Sequence, residues 1–338
     1  MKKTITILAA LFIAVAANAK ILRVSNVTES SAPYSSFDAA EKDATAGDTI
    51  MMDGSAINYG SIIIGKSIVL IGPGYFLNEN GINFVSPASA CVNDVKMEAE
   101  GIVMQGMTVE GKIDILSPKC VINRCRVNGN ISLWGPHDEG LSGHADNCVI
   151  HQNLLNGRIE GDYNNSIYEP TVSNEIITNN IITGEVNNYR GSICWLKESV
   201  IAYNTWPLET TRMALYYVFN STINNNILPV AELDGEDHDG RASASPTSLY
   251  NARNNNVFFN ASRWDDAPSP FYGHTDTDLA IKEVEEERYK DQAGAFSGTD
   301  PYVISGVPVG PVINDIEMPT TVEMGTKLNV TIKVDISR

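Results

Sequence analysis

Four short phrases in the chain place polar side chains on either side of a single apolar residue. They are Gly111-Lys112-Ile113-Asp114, Gly129-Asn130-Ile131-Ser132, Gly157-Arg158-Ile159-Glu160 and Gly184-Glu185-Val186-Asn187. In an extended strand, successive side chains point to opposite faces, so the apolar residue goes inward and its neighbours outward. Stacked in register, the phrases predict two outward columns: Lys112, Asn130, Arg158, Glu185, and Asp114, Ser132, Glu160, Asn187. The stretches Gly135 to Asn147, Asp162 to Asn174 and Asn188 to Ser199 read as long turns off this face. They carry His137, Asp138, Glu139, His144, Asp146, Tyr163, Tyr168, Glu169, Tyr189, Arg190 and Trp195.

Such residues suit three chemistries. Binding a polysaccharide needs aromatic faces for sugar rings and planar hydrogen-bonding groups for hydroxyls. Tyr163, Tyr189, Trp195 and Arg158 are of those types, with Lys112, Asp114, Glu160 and Glu185 beside them. Hydrolysis needs two carboxyls ~5–9.5 Å apart. Glu160 and Glu185, one rung and two residues apart, come to ~8 Å by strand geometry. Glu160 and Asp162 pass the same test, so the spacing does not discriminate. Elimination beside a uronate needs its carboxylate neutralised and a base at the α-proton. Arg158 or Lys112 would be the base, and His144 the proton carrier.

Metal signals are weaker. A hard cation such as Ca2+ wants acids on neighbouring rungs, and the Asp114 column is interrupted by Ser132. The run Asp234-Gly235-Glu236-Asp237-His238-Asp239-Gly240 offers Asp234, Asp237 and Asp239 to Ca2+. With Gly240 as the loop glycine of an EF-hand, however, Gly235 stands where the first Asp belongs and Pro246 where the closing Glu belongs. A solvated loop is the first reading of this run, and no cofactor is expected with Ca2+ the sole candidate.

The elements that must hold these columns announce themselves as a repeat. Cys148-Val149-Ile150-His151-Gln152-Asn153-Leu154-Leu155 returns as Glu175-Ile176-Ile177-Thr178-Asn179-Asn180-Ile181-Ile182 and as Ser221-Thr222-Ile223-Asn224-Asn225-Asn226-Ile227-Leu228. Looser copies start at Gly101, Cys120, Ser199 and Asn251. The Asn place falls at 106, 125, 153, 180, 204, 226 and 256, in steps of 19, 28, 27, 24, 22 and 30 residues. A fixed strand core with variable insertions is the mark of a solenoid. Leucine-rich repeats are excluded by their missing L-x-x-L-x-L frame, and propeller blades by steps shorter than ~40 residues. A parallel β-helix remains, in which each rung sits ~4.8 Å above the last. Inward Asn amides can then bond from rung to rung as a ladder.

The chain resembles right-handed parallel β-helix proteins of the pectin lyase-like superfamily. The resemblance rests on the repeat and on Ser36 to Gly74, where a helix, Gly47-Asp48-Thr49-Ile50, paired strands and Ile71-Gly72-Pro73-Gly74 are similar to that superfamily's capped first coils. It covers roughly residues 21 to 265 and implies an all-β fold with substrate lying along the first sheet. The superfamily spans lyases, hydrolases, esterases and proteins without a known reaction. The polygalacturonase motifs Asn-Thr-Asp and Gly-His-Gly are absent.

Ser36 and the acids after it predict a short capping helix with Phe37, Ala40 and Ala44 on one face. Asp278 to Lys290 reads as a charged helical run. Val312 to Ile316 and Lys327 to Val334 read as two antiparallel strands packing on the last coil and shielding its edge.

Lys2-Lys3, the apolar run Ile5 to Ala17 and Ala17-Asn18-Ala19 read as a secretory signal cleaved after Ala19. The run is shorter than the ~20 residues of a spanning helix. The expected domains are therefore signal 1–19, β-helix 20–299 and C-terminal segment 300–338, in an exported, periplasmic or extracellular monomer. A net charge of −17 opposes nucleic acid and anionic membranes as partners. Five cysteines leave at least one unpaired. Cys120 and Cys148 fill equivalent repeat places and are expected as buried thiols rather than a disulfide, because the rung spacing slightly exceeds relaxed bridge geometry. The functional expectation is an exported polysaccharide or cell-surface glycan binder. A non-catalytic structural or adhesive protein and a polysaccharide lyase are the alternatives.

Overall fold

The computed structural model describes residues 19–82, 88–133, 145–164, 169–183, 192–206, 214–229, 255–259, 276, 293–308, 310–317 and 331–337. Among these, parallel strands stack into sheets of nine, five and eight strands. The chain is a parallel β-helix. The nine-stranded sheet begins at Ile21–Val24 and ends at Thr222–Asn224, the five-stranded sheet runs from Cys91–Val92 to Ile181–Ile182, and the eight-stranded sheet from Ile62–Ile64 to Leu215–Phe219. No helix is long and apolar enough to cross a membrane among the described residues.

Alternation explains the core. In the nine-stranded sheet Ile50, Leu70, Met104, Ile122, Ile150, Ile177, Ile201 and Ile223 point inward and are buried. Each such side chain contributes roughly 1.5–3 kcal/mol when removed from water. Ile113, Ile131 and Ile159 fill the facing wall from the eight-stranded sheet, as the phrases predict. The capping helix forms at Phe37–Asp43, with the Ser36 side chain accepting from Ala39 N and Phe37 and Ala40 buried.

From the strand Val103–Gln105 onward, the coils leave the nine-stranded sheet through one residue with left-handed backbone. Arg124, Gln152, Asn179, Tyr203, Asn225 and Asn255 have φ between 53° and 56°. Gly106 belongs to this series, with φ 66°, because Gln105 pairs with Asn123. Its assignment to the Asn place is therefore corrected by one residue, and Met107 stands there instead. Gly and Asn both tolerate left-handed backbone, which made the two places hard to separate by eye.

The Asn ladder itself runs from 153 to 256. Asn153 Nδ2 donates to Asn180 Oδ1 at 3.0 Å, Asn180 Nδ2 to Asn204 Oδ1 at 3.0 Å, Asn204 Nδ2 to Asn226 Oδ1 at 3.1 Å and Asn226 Nδ2 to Asn256 Oδ1 at 3.1 Å. Cys125 N closes the top on Asn153 Oδ1 at 2.8 Å. The column is scaffold.

The corner into the eight-stranded sheet is made by Gly111, Gly129 and Gly157, stacked backbone to backbone. A Cβ on Gly157 would lie 2.0 Å from Gly129 O, and main chain cannot swing aside as a side-chain tip can. Gly157→Ala should cost stability near the upper end of the ~1–3 kcal/mol seen for overpacking. A denaturant midpoint unchanged from wild type would contradict this.

None of the five cysteines is in a disulfide. Cys120, Cys125, Cys148 and Cys194 are buried, and burial pushes the Cys125 thiol up to about 12. Cys120, Cys125 and Cys148 act as small residues of the main core.

The C-terminal stretch departs from expectation. Residues 293–308 run back along the flank as a strap instead of staying at the last coil. Gly294 N bonds Asn225 O, Asn179 Nδ2 donates to Ala295 O and Ser297 O, Gln152 Nε2 to Pro301 O, and Arg124 Nη1 to Val307 O. The strap thus climbs past the left-handed corners to Pro308, which lies against Gly106. The antiparallel pair Gly310–Glu317 with Thr331–Ser337 starts two residues later. Residues 278–290, read as a charged helix, lie outside the described residues.

Candidate functional site

The outward face of the eight-stranded sheet carries two stacked columns. The first is Asp94, Lys112, Asn130, Arg158 and Ser192, and the second Ile63, Lys96, Asp114, Ser132, Glu160, Cys194 and Tyr216. The predicted order holds through Arg158 and Glu160 and then changes. Ile159 pairs with Ile193 and Glu160 with Cys194, so Ser192 and Cys194 take the places assigned to Glu185 and Asn187. Val186, two residues after Gly184, imitated the corner phrase, but the next strand of this sheet is Ile193–Lys197. The ~8 Å estimated for Glu160 and Glu185 on strand spacing loses its basis with that register.

Charge on this face is arranged in pairs along single strands. Lys96 meets Glu98 at 2.9 Å, Lys112 meets Asp114 at 2.8 Å, and Arg158 lies 3.9 Å from Glu160. Alternation makes residues two apart face the same way, so each cation has an acid on its own strand. The Arg158 pair is the most sheltered of the three: the Lys112 side chain is 56% exposed, that of Arg158 17% and that of Glu160 9%. The exposed pair adds little stability, ~0–1 kcal/mol. At 3.9 Å the Arg158 guanidinium is beyond hydrogen-bond length from Glu160, so its planar fork is not used up on that carboxylate. The hydrogen bond to Asp114 raises the Lys112 pKa, keeping that lysine cationic.

Beside the columns the chain builds an aromatic stack. Tyr163 lies on Trp195 with ring centroids 3.9 Å apart, and Trp195 lies on Tyr217 at 4.2 Å. Two rings that close cannot share one face of the indole, so both Trp195 faces are covered. Trp195 is also buried, at 5% exposure. Its expected role as a sugar platform is corrected: it sits within strand Ile193–Lys197, not in a turn, and is the middle of a stack. Tyr163 ends the stack at Tyr163–Asn164, which pairs antiparallel with Glu169–Pro170. Tyr216 and Tyr217 were missed in the sequence, although Cys194-Trp195 and Tyr216-Tyr217 are in register and share left-handed φ at Trp195 and Tyr217.

His137, Asp138, Glu139, His144, Tyr168, Glu185, Tyr189, Arg190, Asp234, Asp237 and Asp239 lie outside the described residues. Among the described residues no group of three or more His, Cys, Asp or Glu side chains could hold a metal ion. Lys112, Asp114, Arg158, Glu160 and Tyr163 are brought to one face. No family model matches the chain, and a search of curated proteins finds no match.

Proposed function

We propose that this is an exported β-helix protein, similar in plan to the pectin lyase-like superfamily, that binds a polysaccharide along the outward face of its eight-stranded sheet. The observation that carries this reading is Arg158, sheltered, 3.9 Å from Glu160 and five residues before Tyr163. A planar fork, a carboxylate and an aromatic ring in one short stretch match the hydroxyls and apolar face of a sugar. Binding is favoured over elimination because Lys112 is held cationic by Asp114, opposite to what a proton-abstracting lysine needs.

A panel of neutral and uronate-containing glycans, screened by calorimetry and by absorbance of unsaturated products, tests this. Binding without new absorbance is expected, with affinity lowered at least tenfold in Arg158→Ala and in Glu160→Ala. Undiminished binding in both variants would place the groove elsewhere.

A second reading, surface adhesion, is favoured by the opposite wall. Ile21, Thr49, Val69, Val103, Val121, Val149, Ile176, Val200 and Thr222 form one outward column along the nine-stranded sheet. Ile21, Ile176 and Val200 are among the exposed large apolar residues, and such stripes suit contact with a flat partner. Under this reading Val121→Lys would weaken attachment and Arg158→Ala would not.

A further inference from the structure

The residue just before each strand of the nine-stranded sheet also stacks into a column: Lys20, Asp48, Ile68, Ile102, Cys120, Cys148, Glu175, Ser199 and Ser221. Where a polar side chain stands in it, that side chain caps the backbone nitrogen of the preceding rung. Ser221 Oγ accepts from Ser199 N at 3.0 Å, Ser199 Oγ from Glu175 N at 3.1 Å, and Glu175 Oε2 from Cys148 N at 3.0 Å. Asp48 Oδ1 accepts from Lys20 N at 2.7 Å.

Asp48 is distinct within this series. It is 1% exposed, and its Oδ2 accepts from Thr45 N at 2.7 Å and Thr45 Oγ1 at 2.9 Å. Donation from the Lys20 and Thr45 amides holds its carboxyl below the usual range, so it is an anion. Among the described residues it forms no ion pair. The Lys20 side chain acts on it only weakly. Lys66, on the neighbouring turn, is bonded to the carbonyls of Glu41, Lys42 and Ala44 and lies 3.9 Å from Glu41. Asp43 accepts the Tyr34 hydroxyl. The carboxylate is an anion held by three neutral donors, Lys20 N, Thr45 N and Thr45 Oγ1, so a positive charge on the Lys20 nitrogen would make a hydrogen bond already formed into a stronger, charge-assisted one.

We propose that Asp48 is a binding site for a primary ammonium, the α-amino group of the mature chain. This rests on the export reading, in which the Ala19–Lys20 peptide bond is hydrolysed. Water's hydroxyl joins the Ala19 carbonyl carbon, one proton goes to the Lys20 nitrogen as the C–N bond breaks, and the new acid's proton follows it, leaving a carboxylate on Ala19 and an ammonium on Lys20. The nitrogen that donates one hydrogen to Asp48 Oδ1 before cleavage then becomes a cation at the same place. Ile21–Val24 pairs along its length with Thr49–Met52 and has one further bridge, Val24 to Tyr34, at its far end, so the new ion pair fastens the opposite end of this outer strand once export is complete. The α-amine pKa rises above its unfolded value of about 7.7–8.0. The added stability is therefore present below that value and is lost as pH rises through the raised folded-state pKa.

The test compares protein beginning at Lys20, released from a fusion by a protease that leaves no extra residue, with protein beginning at Ala19. At pH 6 the unfolding constant of the Lys20 form should be at least tenfold smaller. That advantage should vanish as pH rises through the α-amine pKa, read by NMR of the labelled terminus and expected at least one unit above its ordinary value. Asp48→Asn should cost the Lys20 form more than the Ala19 form. Should that variant not fold, the two wild-type termini decide alone. Equal stability at pH 6, or an ordinary α-amine pKa, overturns the site. Sequencing the terminus of the exported protein judges the premise separately: any start other than Lys20 overturns the maturation step whatever the stability comparison gives.

Discussion

Asn180→Ala should lower the unfolding free energy by about 3–5 kcal/mol, a large share of the ~5–15 kcal/mol that holds most domains folded. The magnitude follows from what the substitution strands. Asn180 Oδ1 accepts from Asn153 N at 2.9 Å and Asn153 Nδ2 at 3.0 Å, and its Nδ2 donates to Ile150 O at 2.8 Å. All of this is in the interior, where Asn153 and Asn180 are 0% exposed. Removing the amide strands Asn153 N and one hydrogen of Asn153 Nδ2, whose other hydrogen stays on Ile122 O at 2.9 Å, and takes a donor from Ile150 O; each stranded donor costs ~1–3 kcal/mol before any relaxation. Asn128→Ala is the matched control, since the Asn128 amide bonds Glu110 at the surface and should change stability by no more than ~0.5 kcal/mol. Urea denaturation of both variants decides it. A loss below ~1 kcal/mol at Asn180 would mean the ladder does not carry the corner.

The second large effect concerns pH. Glu175 is 0% exposed, its Oε1 has no partner, and burial pushes its carboxyl from 4.5 up to about 9. Asp48, at the equivalent corner, shifts the opposite way because three donors reach it. For Glu175 the unfolded chain loses its proton above 4.5, whereas the folded chain keeps it to about 9. The native state binds more protons throughout that window, so stability falls as pH rises. The loss between pH 4.5 and 7 is roughly 3 kcal/mol at most, from 1.36 kcal/mol per unit. Glu175→Gln keeps an acceptor for Cys148 N and has nothing to titrate. Its advantage over wild type should grow from pH 5 to pH 8 in thermal or denaturant unfolding. Curves for the two proteins that stay parallel across the window would contradict this.

The parts of the molecule that a sequence makes legible are those that repeat. The ladder from Asn153 to Asn256 and the inward Ile113, Ile131 and Ile159 were readable because stacking forces like residues into like places. The left-handed corners were half legible: Asn179, Asn225 and Asn255 are typical of such backbone, Arg124 and Tyr203 are not. Gly184 misled because Gly184-Glu185-Val186 matches the corner phrase residue type for residue type, while the register puts Ser192 and Ile193 in the next rung. Trp195 misled because burial of an aromatic depends on its neighbours, and Tyr217 is supplied by the following coil. The strap could not be read at all. Its bonds from Arg124, Gln152 and Asn179 span more than 100 residues and end on backbone carbonyls, which carry no residue identity.

The proposed binding face on the eight-stranded sheet is tested most directly by a crystal structure of the protein with the best oligosaccharide from the glycan panel. A sugar ring against Tyr163, with hydroxyls within hydrogen-bond reach of Arg158 and Glu160, is the expected result. Sugar bound on the nine-stranded wall or along the strap, with that face empty, would contradict it.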